Sequence, residues 1–177
     1  MIRTRVGYAG GTKNHPTYYN LGDHSESIQI DYDAAVISYG ELLKVFWANH
    51  DPTYPTHSRQ YASLILYHNE EQRQLAQAQK LQVELDSGRT VHTQILPLGE
   101  FTLAQDYHQK YYLQSRRALL KELTAYYPSL WDLVDSTVAA RLNGLAGGHV
   151  SPDQLAAELP SYGLSKEGQE RATQLAQ

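Results

Sequence analysis

The chain has 177 residues, 41% of them hydrophobic and 19% charged, enough for one globular domain with a real core and too few for two large ones. A net charge of −4 argues against a phosphate-binding surface and so against nucleic acid as a partner, and no apolar run approaches the ~20 residues that would cross a membrane. The 177 residues contain no cysteine, which removes disulfides, thiolate metal sites and cysteine nucleophiles from within them.

The opening MIRTRVGYAG has no apolar h-region, so a cytoplasmic chain is the default expectation. Ile2 to Tyr8 reads as a short strand ended by Gly10-Gly11, and Lys13 to Asp23 holds the Asn, Pro, Gly and Asp of a loop. Ser27 to Tyr32 alternates polar and apolar, as a half-buried strand does. Ser38 and Glu41 make a capping box for a helix whose apolar face is Leu42, Leu43, Phe46 and Trp47, and Asp51-Pro52 stops it. Ala62 to Tyr67 is apolar enough for a buried strand. Asn69, with Gln72 three residues on, caps a helix that runs to Gly88 and presents a solvated face. Thr90 to Leu96 alternates again, and Asp106 to Leu113 begins another helix. Beyond it the pattern predicts helices at Ser115 to Ala125, Pro128 to Leu142, Pro152 to Leu159 and Ser165 to Ala176.

Strands interleaved with helices and followed by a helical tail predict an α/β (α+β) domain. GYAGGT has neither a Walker nor a Rossmann spacing, so Gly10-Gly11 reads as a tight turn. Eight histidines include no HExxH arrangement, and no metal is expected. Taken alone, Tyr18 and Tyr61 read as packing residues, and Glu26 reads as a solvated carboxylate at a strand end.

Six segments change that reading: VGYAGGT at Val6 to Thr12, HPTY at His15 to Tyr18, GDHSESIQIDYD at Gly22 to Asp33, ISYGELLKVFWANHDPT at Ile37 to Thr53, RQYASLILYHNEEQ at Arg59 to Gln72, and LGEFTLAQDYHQKYYL at Leu98 to Leu113. In this order and spacing they resemble the peptide methionine sulfoxide reductases of the S-epimer class. The resemblance implies a two-layer sandwich around a small mixed sheet over residues 1–113, with 114–177 as a helical C-terminal extension. It implies reduction of methionine sulfoxide in peptides or proteins, a repair reaction, with thioredoxin or another thiol as reductant and no bound cofactor. By the same resemblance Tyr18 and Tyr61 hold the sulfoxide oxygen, and Glu26, kept neutral in an apolar or otherwise raised-pKa site, protonates it. Asp106 and His108 are read as structural residues behind the site.

The family places its nucleophilic cysteine in a Gly-Cys-Phe-Trp segment upstream of the position held here by Val6, and the 177 residues do not include it. The expectation is therefore a chain truncated at its N-terminus, inactive as given and with an exposed sheet edge. The alternative is a non-catalytic module that binds methionine sulfoxide. The short PTYPTHSRQ before Tyr61 replaces a longer loop of many members. The tail's apolar face (Leu130, Leu133, Val134 and Val138) is expected to pack on the chain's own sheet, an interaction surface being the other reading.

Overall fold

A computed structural model describes residues 2–176. Three strands, β1 (Arg3–Ala9), β2 (Ser25–Asp31) and β5 (Thr102–Leu103), form one sheet in the order β2-β1-β5. β5 is antiparallel to β1, with Gly7 opposite Leu103 and Tyr8 opposite Thr102. A Cβ on Gly7 would lie 2.4 Å from the Thr102 carbonyl oxygen, so this pairing requires glycine. Strands β3 (Leu64–Tyr67) and β4 (Gln94–Pro97) form a second, parallel pair joined through α2 (Glu70–Ser87), a βαβ unit. The small sheets and helices bear out the mixed α/β expectation.

The chain divides into two compact units. One comprises Val6–Ile28 and Tyr32–Ala104. Its core has two parts: Tyr8, Leu21 and Ala104, and then Leu43, Ile65 and Ala76 with Phe46, Trp47 and Ile95 packed against them. Helix α1 (Tyr39–Ala48) starts with the expected capping box, Ser38 accepting from Glu41 N–H and Glu41 accepting from Ser38 N–H. Helix α2 starts at Asn69, whose side chain accepts from Gln72 N–H, and ends at Gly88 with φ +64. Both ends follow from local hydrogen bonding that a few residues decide.

The other unit comprises residues 2–5, Gln29–Asp31 and 105–176. It contains α3 (Tyr111–Gln114), α4 (Arg117–Tyr126), α5 (Leu130–Val134), α6 (Thr137–Ala146), α7 (Pro152–Glu158) and α8 (Lys166–Leu175). Their apolar faces meet in one core built on Leu113, Leu119, Leu123, Leu133, Leu142, Leu145 and Leu155. The face of Leu130, Leu133 and Val138 packs into this helical core, so the expected packing against the sheet is corrected. Two predicted helices also break. Pro128 to Leu142 divides at Ser136, which caps α6 by accepting from Ala139 N–H. Asp106 to Leu113 is a 3-10 turn, Asp106–His108, followed by α3, because Lys110 between them has φ +50. Pro152 stands in the first turn of α7 as expected, but Pro128 precedes the Ser129 cap of α5. The strand expected from Thr90 starts only at Gln94.

Lys110 is buried, and its ammonium donates to the Thr4 carbonyl at 2.5 Å and the Thr4 hydroxyl at 3.0 Å. Burial pushes its pKa down to about 8, with Asp135 opposing the shift and Arg5 adding to it. An unfolded lysine keeps its proton to about pH 10.4, so between these values the unfolded chain binds more protons and stability rises with pH. One proton sets a ceiling of about 1.4 kcal/mol per pH unit on that slope. Urea midpoints at pH 8 and pH 9.5 should rise in the wild type relative to Lys110→Met. An identical rise in the two proteins would exclude Lys110 as its source.

Candidate functional site

Asp23 builds the loop that leads into β2. It is exposed, yet both its oxygens accept from Thr12 N–H (2.9 and 2.8 Å); Oδ2 also accepts from the Thr12 hydroxyl at 2.9 Å and Oδ1 from Lys13 N–H at 3.1 Å. These donors, Thr12's first, hold its pKa well below the usual carboxylate range. His24, buried next to it, accepts from Gly11 N–H through Nδ1 at 3.3 Å and donates Nε2–H to the Lys13 carbonyl at 2.8 Å. Those two bonds fix its tautomer. Gly10 makes the turn with φ +79, a conformation suited to glycine, which bears out the tight-turn reading.

The fixed loop delivers Ser25 and Glu26 at the start of β2. Ser25 is fully buried and its hydroxyl donates to the Arg59 carbonyl at 2.5 Å. Glu26, one residue on, is exposed, and its Oε1 accepts from Gln60 Nε2 at 2.7 Å. Tyr61 closes the 3-10 turn Arg59–Tyr61 and is 61% exposed. Its phenol pKa is raised, first by partial desolvation, then by the Glu26 carboxylate and by Tyr18, with which it shares a hydrogen bond. Tyr18 is half-buried, packs against the Tyr8–Leu21–Ala104 cluster and meets Tyr19 edge-on at 5.3 Å. Thus Tyr18 and Tyr61, 43 residues apart in the chain, share a hydrogen bond, and the Glu26 carboxylate acts electrostatically on Tyr61.

Glu26 is exposed, and the polar Gln60 donates to its carboxyl. Asp106 and His108 lie in the other unit, where the Asp106 carbonyl accepts from Gln114 Nε2 at 2.9 Å. That unit also holds a cleft of about 390 Å³ lined by Lys110, Leu120, Tyr127, Leu133 and Val134. No three of His, Asp and Glu converge as a metal site among the described residues, and no described helix is long and apolar enough to cross a membrane.

What the arrangement offers is two phenol hydroxyls joined by a hydrogen bond, with one carboxylate in electrostatic reach of Tyr61. That set can donate hydrogen bonds to an oxygen bearing negative charge. Sequence reasoning did not single out Arg59 or Gln60 as contributors. Their partners, Gly10, Asp23 and Glu26, are 34 or more residues away, and nothing local signals such a contact.

The model of the peptide methionine sulfoxide reductase family matches residues 1–128. A peptide methionine sulfoxide reductase of Drosophila melanogaster is 46% identical over 167 residues, covering 93% of this chain and 67% of its own length. Peptide methionine sulfoxide reductase A5 of Oryza sativa subsp. japonica is 42% identical over 159 residues, covering 86% of this chain and 62% of its own. Peptide methionine sulfoxide reductase MsrA of Methanococcoides burtonii is 46% identical over 131 residues, 66% of this chain and 85% of its own. The crystal structure of Mxr1 from Saccharomyces cerevisiae in reduced form aligns with a TM-score of 0.59 at 27% identity, over 63% of this chain and 70% of that one. The chain spans 67% and 62% of the lengths of the fly and rice relatives, and the fly match necessarily runs well into the helical tail. The chain belongs to the peptide methionine sulfoxide reductase family, of the MsrA type.

Proposed function

We propose that these 177 residues form the oxygen-holding half of a peptide-methionine (S)-S-oxide reductase site. The observation that carries the reading is the hydrogen bond between Tyr18 and Tyr61, with Glu26 in electrostatic reach of Tyr61, in a member of this family. A sulfoxide oxygen carries substantial negative charge, which increases when a nucleophile reaches the sulfur, so preorganised donors favour that step. Tyr18 and Tyr61 donate to the oxygen, and Glu26 supplies a proton.

The full reaction needs a thiolate. It attacks the sulfoxide sulfur, the oxygen passes to the thiol sulfur, and the products are methionine and a cysteine sulfenic acid. A second thiol condenses with the sulfenic acid to a disulfide and releases water, and thioredoxin or another dithiol reduces that disulfide. The 177 residues hold no cysteine, so we assign them binding and proton donation rather than the nucleophile. The same observation supports a second reading, a module that binds oxidised methionine without reducing it.

Titration of a short S-methionine-sulfoxide peptide into the chain tests the site. Saturable binding is expected, weaker for the R epimer and for unoxidised methionine. Glu26→Ala should lower the affinity by roughly 5- to 100-fold, the range for losing one hydrogen bond of this kind in a desolvated site. Equal affinity for sulfoxide and methionine peptides would reject the assignment.

A further inference from the structure

Tyr61 is carried by a single 3-10 turn whose N-cap, Ser58, makes no side-chain capping bond. Such a turn has poor hydrogen-bond geometry of its own. It nevertheless places a phenol in a hydrogen bond with Tyr18 and in electrostatic reach of Glu26, so something else must hold it.

Arg59 supplies that hold. Its guanidinium donates to the Gly10 carbonyl at 2.6 Å, to the Asp23 carbonyl at 2.8 Å and to Gln94 Oε1 at 2.9 Å. One side chain therefore ties the end of β1, the loop entering β2 and the start of β4 to the turn that bears Tyr61. Its own carbonyl accepts from Ser25, the neighbour of Glu26. A planar fork of five N–H donors can meet three acceptors in fixed directions, which a lysine ammonium cannot do. Gln60 then reaches Glu26 directly, donating from Nε2 to Oε1 at 2.7 Å. An oxygen occupied as an acceptor leaves the proton of the neutral acid on the other oxygen, Oε2.

We propose that Arg59 and Gln60 are positioning residues of the oxygen-holding site: Arg59 sets the Tyr61 turn against the Glu26 strand, and Gln60 fixes Glu26 so that Oε2 carries the transferable proton. The proton-transfer part rests on the sulfoxide reading, whereas the placement of Tyr61 against Glu26 does not.

The test uses the full chain with ¹³Cζ-labelled tyrosine, the Tyr61 resonance being assigned by its loss in Tyr61→Phe. In the wild type Tyr61 should titrate above an ordinary tyrosine, and Glu26→Gln should bring it down. Arg59→Met, Arg59→Lys and Gln60→Ala should each move the midpoint the same way, with circular dichroism unchanged. Each should also weaken the sulfoxide peptide about tenfold, as the loss of one well-placed hydrogen bond would. Arg73→Met, which removes surface bonds to Glu70 and Gln77 on α2, serves as the control and should alter neither readout. The proposal is overturned if Arg59→Met and Gln60→Ala keep the wild-type Tyr61 midpoint, or if Glu26→Gln leaves it in place. If Arg59→Met does not fold, Arg59→Lys decides for that residue. A Tyr61 midpoint that responds in a chain blind to the sulfoxide would keep the positioning role and remove the proposed substrate.

Discussion

Joining a Gly-Cys-Phe-Trp segment upstream of Val6 is expected to turn a chain with no reductase turnover into one that reduces a dabsylated S-methionine sulfoxide with dithiothreitol. The expectation rests on a division of labour: in the proposed reading Tyr18, Glu26 and Tyr61 hold the oxygen, and the 177 residues contain no thiol to act as nucleophile. Oxygen nucleophiles such as Ser25 cannot substitute, because they have no sulfenic state that a reductant could recycle. Ser25 is moreover fully buried and committed to the Arg59 carbonyl. In the extended protein Glu26→Gln should lower turnover by about 10²- to 10³-fold, the scale on which a preorganised donor to a developing oxyanion acts. Tyr18→Phe and Tyr61→Phe should each cost less, since the remaining phenol and the acid still hold the oxygen. Turnover by the cysteine-free chain would overthrow the assignment of the chemistry to a thiol. Inactivity of both proteins, with sulfoxide binding retained, would favour the binding-module reading.

Local signals in the sequence located what local physics determines. Ser38 with Glu41, and Asn69 with Gln72 and Gly88, place the ends of α1 and α2 because caps are settled within a few residues. The break at Ser136 was hidden, since the apolar spacing of Leu130, Leu133, Val134 and Val138 continues straight through it. The positive φ of Lys110 was equally illegible, because a lysine there has no local reason to leave the right-handed region. β5 is two residues long and exists only by pairing with β1. At the site, exposure would have misled without the family motifs: Glu26 is exposed and Tyr61 is 61% exposed, values ordinary for surface residues. The motifs named the three residues, but no local signal announces that Arg59, two residues before Tyr61, donates to carbonyls 36 and 49 residues away.

Leu142→Ala should destabilise the helical unit by about 2–5 kcal/mol, the range for deleting most of a fully buried leucine side chain. Leu142 is 0% exposed on α6 and belongs to the cluster that includes Leu113, Leu123, Leu145 and Leu155. α6 has ten residues and includes Gly144, so its own propensity cannot sustain it and packing must supply its stability. A cavity at Leu142 removes contacts that short helices on several sides share, and none of them can close over the gap without leaving the others. Leu142→Met conserves volume and should cost less than about 1.5 kcal/mol. Leu85, 69% exposed on α2, supplies the contrast: Leu85→Ala should stay within about 0.5 kcal/mol of the wild type. Urea titrations followed by circular dichroism measure all three. If Leu142→Ala and Leu85→Ala cost the same, the helical unit has no specific core at Leu142, and the tail's apolar face becomes available for a partner instead of for its own helices.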